Sequence, residues 1–212
     1  MNKSAIIFLN GGFPDDRILK EYVKKSDVII AADGGGNFLR EKNILPHYVI
    51  GDLDSLTRDN YEFYKEKKVR IKKIREQETT DFEKCINFCL KNSFNEAFVL
   101  GASGHRPDHT LNNFSVMKRY YKKLKIVFVS EEFEIFFINK IIEFSYPAAE
   151  TVSILAMPVA KKIFTSGLKY KLNGETLEFG VREGALNVSV SKKVSISFKS
   201  GNLLLFKKHF IK

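Results

Sequence analysis

The chain has 212 residues and a mass of 24.3 kDa, with 44% hydrophobic and 28% charged residues, which excludes a disordered or collagen-like chain. No run approaches the roughly 20 apolar residues that span a bilayer, and the apolar run Ala5 to Leu9 breaks at Asn10-Gly11-Gly12, too early for a secretory leader; a cytoplasmic protein with no membrane partner is expected. The net charge of +10 sets 35 basic residues against 25 acidic ones, and the basic residues are 27 lysines and only 8 arginines, many lysines in pairs such as Lys24-Lys25 and Lys192-Lys193; this reads as a solvated surface with a general attraction to phosphorylated ligands, since nucleic-acid readers favour arginine forks.

In chain order, Ala5–Leu9 reads as a buried strand and Pro14 to Lys25 as a helix with Ile18, Leu19, Tyr22 and Val23 on one stripe. Strand Val28–Ala32, a short helix from Gly36 to Lys42 and strand Tyr48–Ile50 follow. A helix from Asp59 to Lys67 leads to strand Val69–Ile74. Thr80 to Lys91 is helical, with Phe82, Cys85, Ile86, Cys89 and Leu90 at helical spacing and a Thr80–Glu83 capping box. The two cysteines share that stripe and read as small core hydrophobes. Strand Ala97–Leu100, helix Pro107 to Tyr121 and strand Ile126–Val129 complete the pattern. Alternation of this kind implies a Rossmann-like parallel sheet with helices on both faces.

Near Ser130 the helical periodicity stops. Short β-rich runs take over: Phe133–Ile138, Ile141–Tyr146, Thr151–Met157, Lys169–Leu172, Thr176–Phe179, Leu186–Val190, Val194–Phe198 and Leu203–Phe206. Turn signals such as Asn173-Gly174, Glu183-Gly184 and Ser200-Gly201-Asn202 separate them. An antiparallel β-sandwich is expected, giving two domains, 1–130 and 131–212.

Ligands of a parallel α/β sheet bind at the carboxyl ends of the strands, and four polar clusters fall there. Asp33-Gly34-Gly35-Gly36 could let backbone amides approach a phosphate, although it is neither a dinucleotide fingerprint nor a P-loop. Asp52 and Asp54, one residue apart after a strand, suit a hard cation such as Mg²⁺; they also resemble the aspartyl nucleophile of haloacid-dehalogenase-type phosphatases, but the later acidic pair is missing. Gln77 to Asp81 adds a third carboxylate in a first helical turn. Gly101 to His109 carries Arg106, a planar fork for phosphate, with Asp108 and His109. His105 and His109 have no accompanying glutamate, which argues against zinc. Together the clusters point to Mg²⁺-assisted phosphoryl chemistry.

These motifs resemble the thiamine pyrophosphokinase family: Ala32-Asp33-Gly34-Gly35, Gly51-Asp52-Leu53-Asp54-Ser55, Gln77-x-x-Thr80-Asp81-Phe82 and Gly104-x-Arg106-x-Asp108-His109-Thr110, with Asn113 beyond. The tail resembles the family's thiamine-binding β-domain through Ser166-Gly167-Leu168-Lys169-Tyr170, Asn187 and Ser200-Gly201-Asn202-Leu203-Leu204. The resemblance implies transfer of pyrophosphate from ATP to the hydroxyl of thiamine, with AMP leaving. It implies catalytic and metal positions at Asp52, Asp54 and Asp81, and ATP contacts at Asp33, Gly34, Gly35, Gln77, Thr80, Arg106, Asp108 and His109. It also implies a homodimer with thiamine between subunits and substrate contacts at Leu186 and Asn187. His105 interrupts the family's paired glycine, Leu186 stands where the family has a hydroxyl, and the chain has no Trp. The alternatives are a related pyrophosphokinase acting on another alcohol, such as a hydroxymethylpterin, and a basic nucleic-acid-binding module; the acidic crevice argues against nucleic acid.

Overall fold

The computed structural model describes residues 3–211. The chain divides into two compact units, the first ending at Glu131 and rejoined by Ile211, the second Glu132–Phe210.

The first unit alternates β1 (Ser4–Phe8), α1 (Asp16–Lys25), β2 (Val28–Ala32), α2 (Gly35–Glu41), β3 (Tyr48–Gly51), α3 (Arg58–Glu66), β4 (Arg70–Lys73), α4 (Asp81–Lys91), β5 (Glu96–Leu100), α5 (Pro107–Tyr120) and β6 (Lys125–Val129). Its strands are parallel, in the order β6-β5-β1-β2-β3-β4. The central strands are apolar almost throughout and buried, as helices on both faces require: Ala5 to Phe8, Ala97, Val99 and Leu100 are inaccessible to solvent. The edge strand β4 is Arg-Ile-Lys-Lys and mostly exposed, charge that discourages pairing with another chain. From β1 the chain steps outward through β2, β3 and β4, then crosses to β5 on the other side. The order therefore reverses between β1 and β5, where an open sheet forms its ligand crevice.

Helix caps follow the local sequence. Asp15 accepts from the Arg17 and Ile18 amides at the start of α1, and Thr57 and Thr80 cap α3 and α4. On α4 the stripe Phe82, Cys85, Ile86 and Cys89 is buried, both cysteines as free thiols. Leu90 is only half-buried, and Phe88 takes its place in the core. Glu83 is buried as well, because Arg119 and the Tyr120 hydroxyl of α5 reach its carboxylate.

The second unit is antiparallel and holds β7 (Phe133–Ile138), β8 (Ile141–Ser145), β9 (Thr151–Ser166), β10 (Asn173–Glu178), β11 (Gly184–Val188) and β12 (Lys193–Lys208). Strands β9 and β12 are 16 residues each and run through both layers of the sandwich. One layer pairs β11, the first half of β9, the second half of β12 and β7; the other pairs β10, the second half of β9, the first half of β12 and β8.

Two expectations are corrected here. The residues Ser200-Gly201-Asn202 are not a turn between strands but an irregularity inside β12, where the register shifts between Gly201 and Leu203. Gly201 has φ +95°, and a Cβ there would collide with the Val159 carbonyl, so glycine serves a bulge as it would a turn. Lys169–Leu172 is not a strand; beside it Leu168 makes a single bridge to Ser189.

Candidate active site

A cleft of about 500 Å³ opens at the carboxyl ends of β1, β2, β3 and β5, lined by Asn10, Gly34, Asp52, Gln77, Thr80 and Arg106 among others. Three carboxylates converge in it. Asp33, Asp52 and Asp81 each bring an oxygen within 4.8 Å of the other two. They come from three strand ends: Asp33 follows β2, Asp52 follows β3, and Asp81 opens the helix after β4.

Each is held by neighbours that fix its direction. Asp33 is buried, has φ +42°, and accepts from the amides of Ser55 and Leu56, both at 3.0 Å. It thereby ties the β3–α3 loop to the end of β2. Burial, helped by the neighbouring Asp54 and Asp81 carboxylates and opposed by the two amides, pushes its pKa up to about 6. Asp81 is likewise raised by burial, with the Lys84 ammonium pulling the other way. Asp52 moves in the opposite direction: its partial burial is outweighed by the Gln77 amide at 3.1 Å, the Asp54 amide and the Lys84 charge. Three oxygen donors at such spacing, two resisting ionisation, form a group that a hard divalent cation would relieve.

The residues expected from the sequence are distributed as follows. Asp33, Gly34, Asp52, Gln77, Thr80, Asp81, Arg106 and His109 line the cleft. Gly35 is buried behind it, and Asp54 and Asp108 are exposed and outside its lining. Asp54 accepts from the Ser55 hydroxyl at 2.9 Å and is not one of the three converging carboxylates. Asp33 is, although the sequence marked it only as part of a phosphate loop. Arg106 places its fork on Asp108, at 2.9 and 2.6 Å, which holds that carboxyl well below its ordinary range. Asp108 therefore pairs with Arg106 rather than capping α5.

Sequence reasoning also missed Lys84. Its ammonium lies 3.0 Å from Asp81 Oδ1, and its side chain is 3% exposed. The i, i+3 spacing from Asp81 was its one visible signal. Leu186 and Asn187 belong to the second unit. Leu186 is exposed, with φ +57°. Asn187 is buried, accepts from the Tyr170 and Val188 amides and donates to the Tyr170 carbonyl at 2.6 Å.

Comparison with known proteins covers both units. Residues 19–128 match the family "Thiamin pyrophosphokinase, catalytic domain" and residues 139–203 match "Thiamin pyrophosphokinase, vitamin B1 binding domain". Thiamine pyrophosphokinase 1 of Arabidopsis thaliana is 27% identical over 92% of this chain and 83% of its own length. Among solved structures, thiamine pyrophosphokinase from Bacillus subtilis superposes with a TM-score of 0.86 at 20% identity, covering 97% of this chain and 99% of that one. Thiamin pyrophosphokinase from Candida albicans gives 0.85 at 21%, covering 98% and 89%. At these identities the structures establish the fold.

Proposed function

The chain belongs to the thiamin pyrophosphokinase family, whose reaction moves pyrophosphate from ATP to thiamine, and from that premise we propose that the cleft of the first unit is where this chain binds ATP and carries out the transfer. The observation that supports this site is the convergence of Asp33, Asp52 and Asp81 within 4.8 Å at the strand ends of the family-matched segment.

The family's chemistry calls for a divalent cation, and the donor set fits Mg²⁺: three carboxylate oxygens and no sulfur or imidazole. Asp33, Asp52 and Asp81 are the residues that would hold it, with Asp54 beside them as the family pattern implies. When bound, such a cation neutralises phosphate charge and helps hold the transferring group in line.

The rest is done by the chain's own groups. Gln77 orients Asp52, and the Ser55 and Leu56 amides orient Asp33. Thr80 starts α4 so that Asp81 sits in its first turn, facing the same cleft. Gly34, Gln77, Thr80 and His109 line the space for the polyphosphate and nucleotide, with Gly35 supporting that wall. Arg106, at the mouth, offers its fork to a phosphate by turning from Asp108, a surface pair of little energetic weight. The thiamine hydroxyl gives up its proton to solvent as its oxygen bonds to the β-phosphorus, the bridge to the α-phosphate breaks, and AMP leaves with the bridging oxygen.

The second unit, which carries the vitamin B1 binding match, supplies the surface for thiamine, with Leu186 and Asn187 in that region, and mediates a homodimer. Its exposed Phe164, Tyr170, Phe179, Val181 and Val190 favour a covered surface. Two buried free thiols suit a reducing compartment, the cytoplasm. Among the described residues no helix is long and apolar enough to cross a membrane.

The test is incubation with ATP, Mg²⁺ and thiamine. AMP and thiamine diphosphate should form in equal amounts; ADP in place of AMP, or no thiamine-dependent product, overturns the reading. Sedimentation should show a dimer, and a fully active monomer would remove the shared acceptor surface.

A further inference from the structure

Lys84 is a buried cation that the proposed chemistry does not use. It projects from the first turn and a half of α4, off that helix's apolar stripe, yet its side chain is only 3% exposed. Lysine is seldom buried without a partner, and the partner here is Asp81, whose Oδ1 lies 3.0 Å from Nζ. The same Oδ1 accepts from the Asp52 amide at 3.3 Å. Both hydrogen bonds that Asp81 accepts therefore fall on one oxygen, and among the described residues Oδ2 has no donor. Lys84 also lines the cleft that Asp33, Asp52 and Asp81 share.

We propose that Lys84 is an internal counter-ion of the carboxylate group: it pins Asp81 through Oδ1, and its charge holds down the group's affinity for a free divalent cation. Three ionised carboxylates and one ammonium carry a net charge of −2, which one divalent cation brings to zero. Without the ammonium the group would be −3 and would bind free cations more strongly, because charges this close interact in a poorly screened setting. With it, the site holds a free cation loosely and takes it more readily together with a polyphosphate, whose own charges supply the missing attraction. This use of the site rests on the ATP reading above; the charge relationship does not.

The experiment is calorimetric titration of Mn²⁺ into the nucleotide-free protein, comparing the native chain with Lys84→Met, Lys84→Gln and Lys84→Arg. Lys84→Met should bind Mn²⁺ at least about five-fold more tightly, while Lys84→Arg, which keeps the charge, should stay within about two-fold of the native value. A merely structural lysine predicts the reverse, since a loosened Asp81 weakens the site. Unchanged or weaker binding in Lys84→Met overturns the proposal, as does equal tightening in Lys84→Arg. If Lys84→Met does not fold, Lys84→Gln supplies the measurement. Failure of both to fold, with or without Mn²⁺, marks a structural residue and overturns it as well. The AMP assay on the native chain is separate: a native protein that makes no AMP removes the ATP reading and leaves the Mn²⁺ comparison to stand or fall alone.

Discussion

Gly51 makes room for Asp33: a Cβ built at position 51 would lie 2.8 Å from the Asp33 Cβ and 3.1 Å from Asp81 Oδ1. The last residue of β3 is thus the point around which two carboxylates from other elements close. Real Cβ atoms do not approach that near, so Gly51→Ala must push Asp33 or Asp81 aside. Overpacking of this kind costs about 1–3 kcal/mol, and displacing a carboxylate should cut AMP formation at least about ten-fold. Thermal denaturation with a thiamine-dependent AMP assay checks both; native activity in the variant would show that the convergence is not used.

The carboxylates themselves should separate activity from stability. Asp52→Asn and Asp81→Asn retain shape and remove charge from a group that repels itself. Both should fold; Asp52→Asn should change the melting temperature in chelator little, whereas Asp81→Asn leaves the buried Lys84 ammonium without its carboxylate and should lower it. Turnover should fall at least about 100-fold, the scale of losing one preorganised electrostatic contact. A folded Asp52→Asn enzyme of near-native turnover sinks the site assignment.

Stability in chelator should fall with rising pH. Asp33 holds its proton more tightly folded, with a pKa of about 6, than at the ordinary 3.8. Protonation therefore favours the fold, and this contribution is complete below about pH 3.8 and lost as pH rises through 6. Two units correspond to a contribution on the order of 3 kcal/mol. Asp81, also raised, acts in the same sense. Melting in EDTA should be several degrees higher at pH 5 than at pH 7.5, and excess Mg²⁺ should shrink or reverse the difference. A melting temperature that climbs with pH in EDTA contradicts the burial of Asp33.

The parallel sheet was legible because its central strands are buried on both faces and read as unbroken apolar runs; Ala5 to Phe8 is an example. The long strands of the second unit were not. Pro158 interrupts the run in β9, and Gly201 punctuates β12, and a sequence cannot distinguish a bulge from a turn when both use glycine at positive φ. In the site, Asp52 was visible because it directly follows a strand, and Asp81 because it opens a helix at the same sheet edge. Asp33 was hidden inside a glycine loop, since only its backbone turn carries the side chain back toward β3. Lys84 was hidden because helical periodicity assigns it to the solvent side of α4, and its burial comes from the cleft wall rather than from the stripe.

Asn187 is held as a structural clamp. Its amide spans the backbone of Tyr170 and reaches the Val188 amide, which pins the irregular segment beyond Gly167 onto β11. Asn187→Ala strands two amides and a carbonyl in a part-buried setting and should cost about 2–4 kcal/mol at roughly a kcal/mol per bond. Urea denaturation measures it. A variant of native stability with a raised thiamine KM would assign the residue to ligand binding alone.

Leu186 is the position where the family resemblance implies a hydroxyl, and the structure changes what its replacement should do. The side chain is 77% exposed, so Leu186→Ser opens no cavity and removes no core packing. The backbone sits at φ +57°, a conformation that a branched aliphatic residue adopts at a cost of about 1 kcal/mol and asparagine tolerates. Leu186→Asn should therefore match or exceed the native melting temperature, with the Leu186 amide bond to the Ser153 hydroxyl unaffected. For the acceptor, one regained hydrogen bond is worth about 0.5–1.5 kcal/mol, so Leu186→Ser should lower the thiamine KM by a factor of about 2–13 while the KM for ATP stays constant. A thiamine KM that does not move in Leu186→Ser, in a protein of native stability, places Leu186 away from the acceptor.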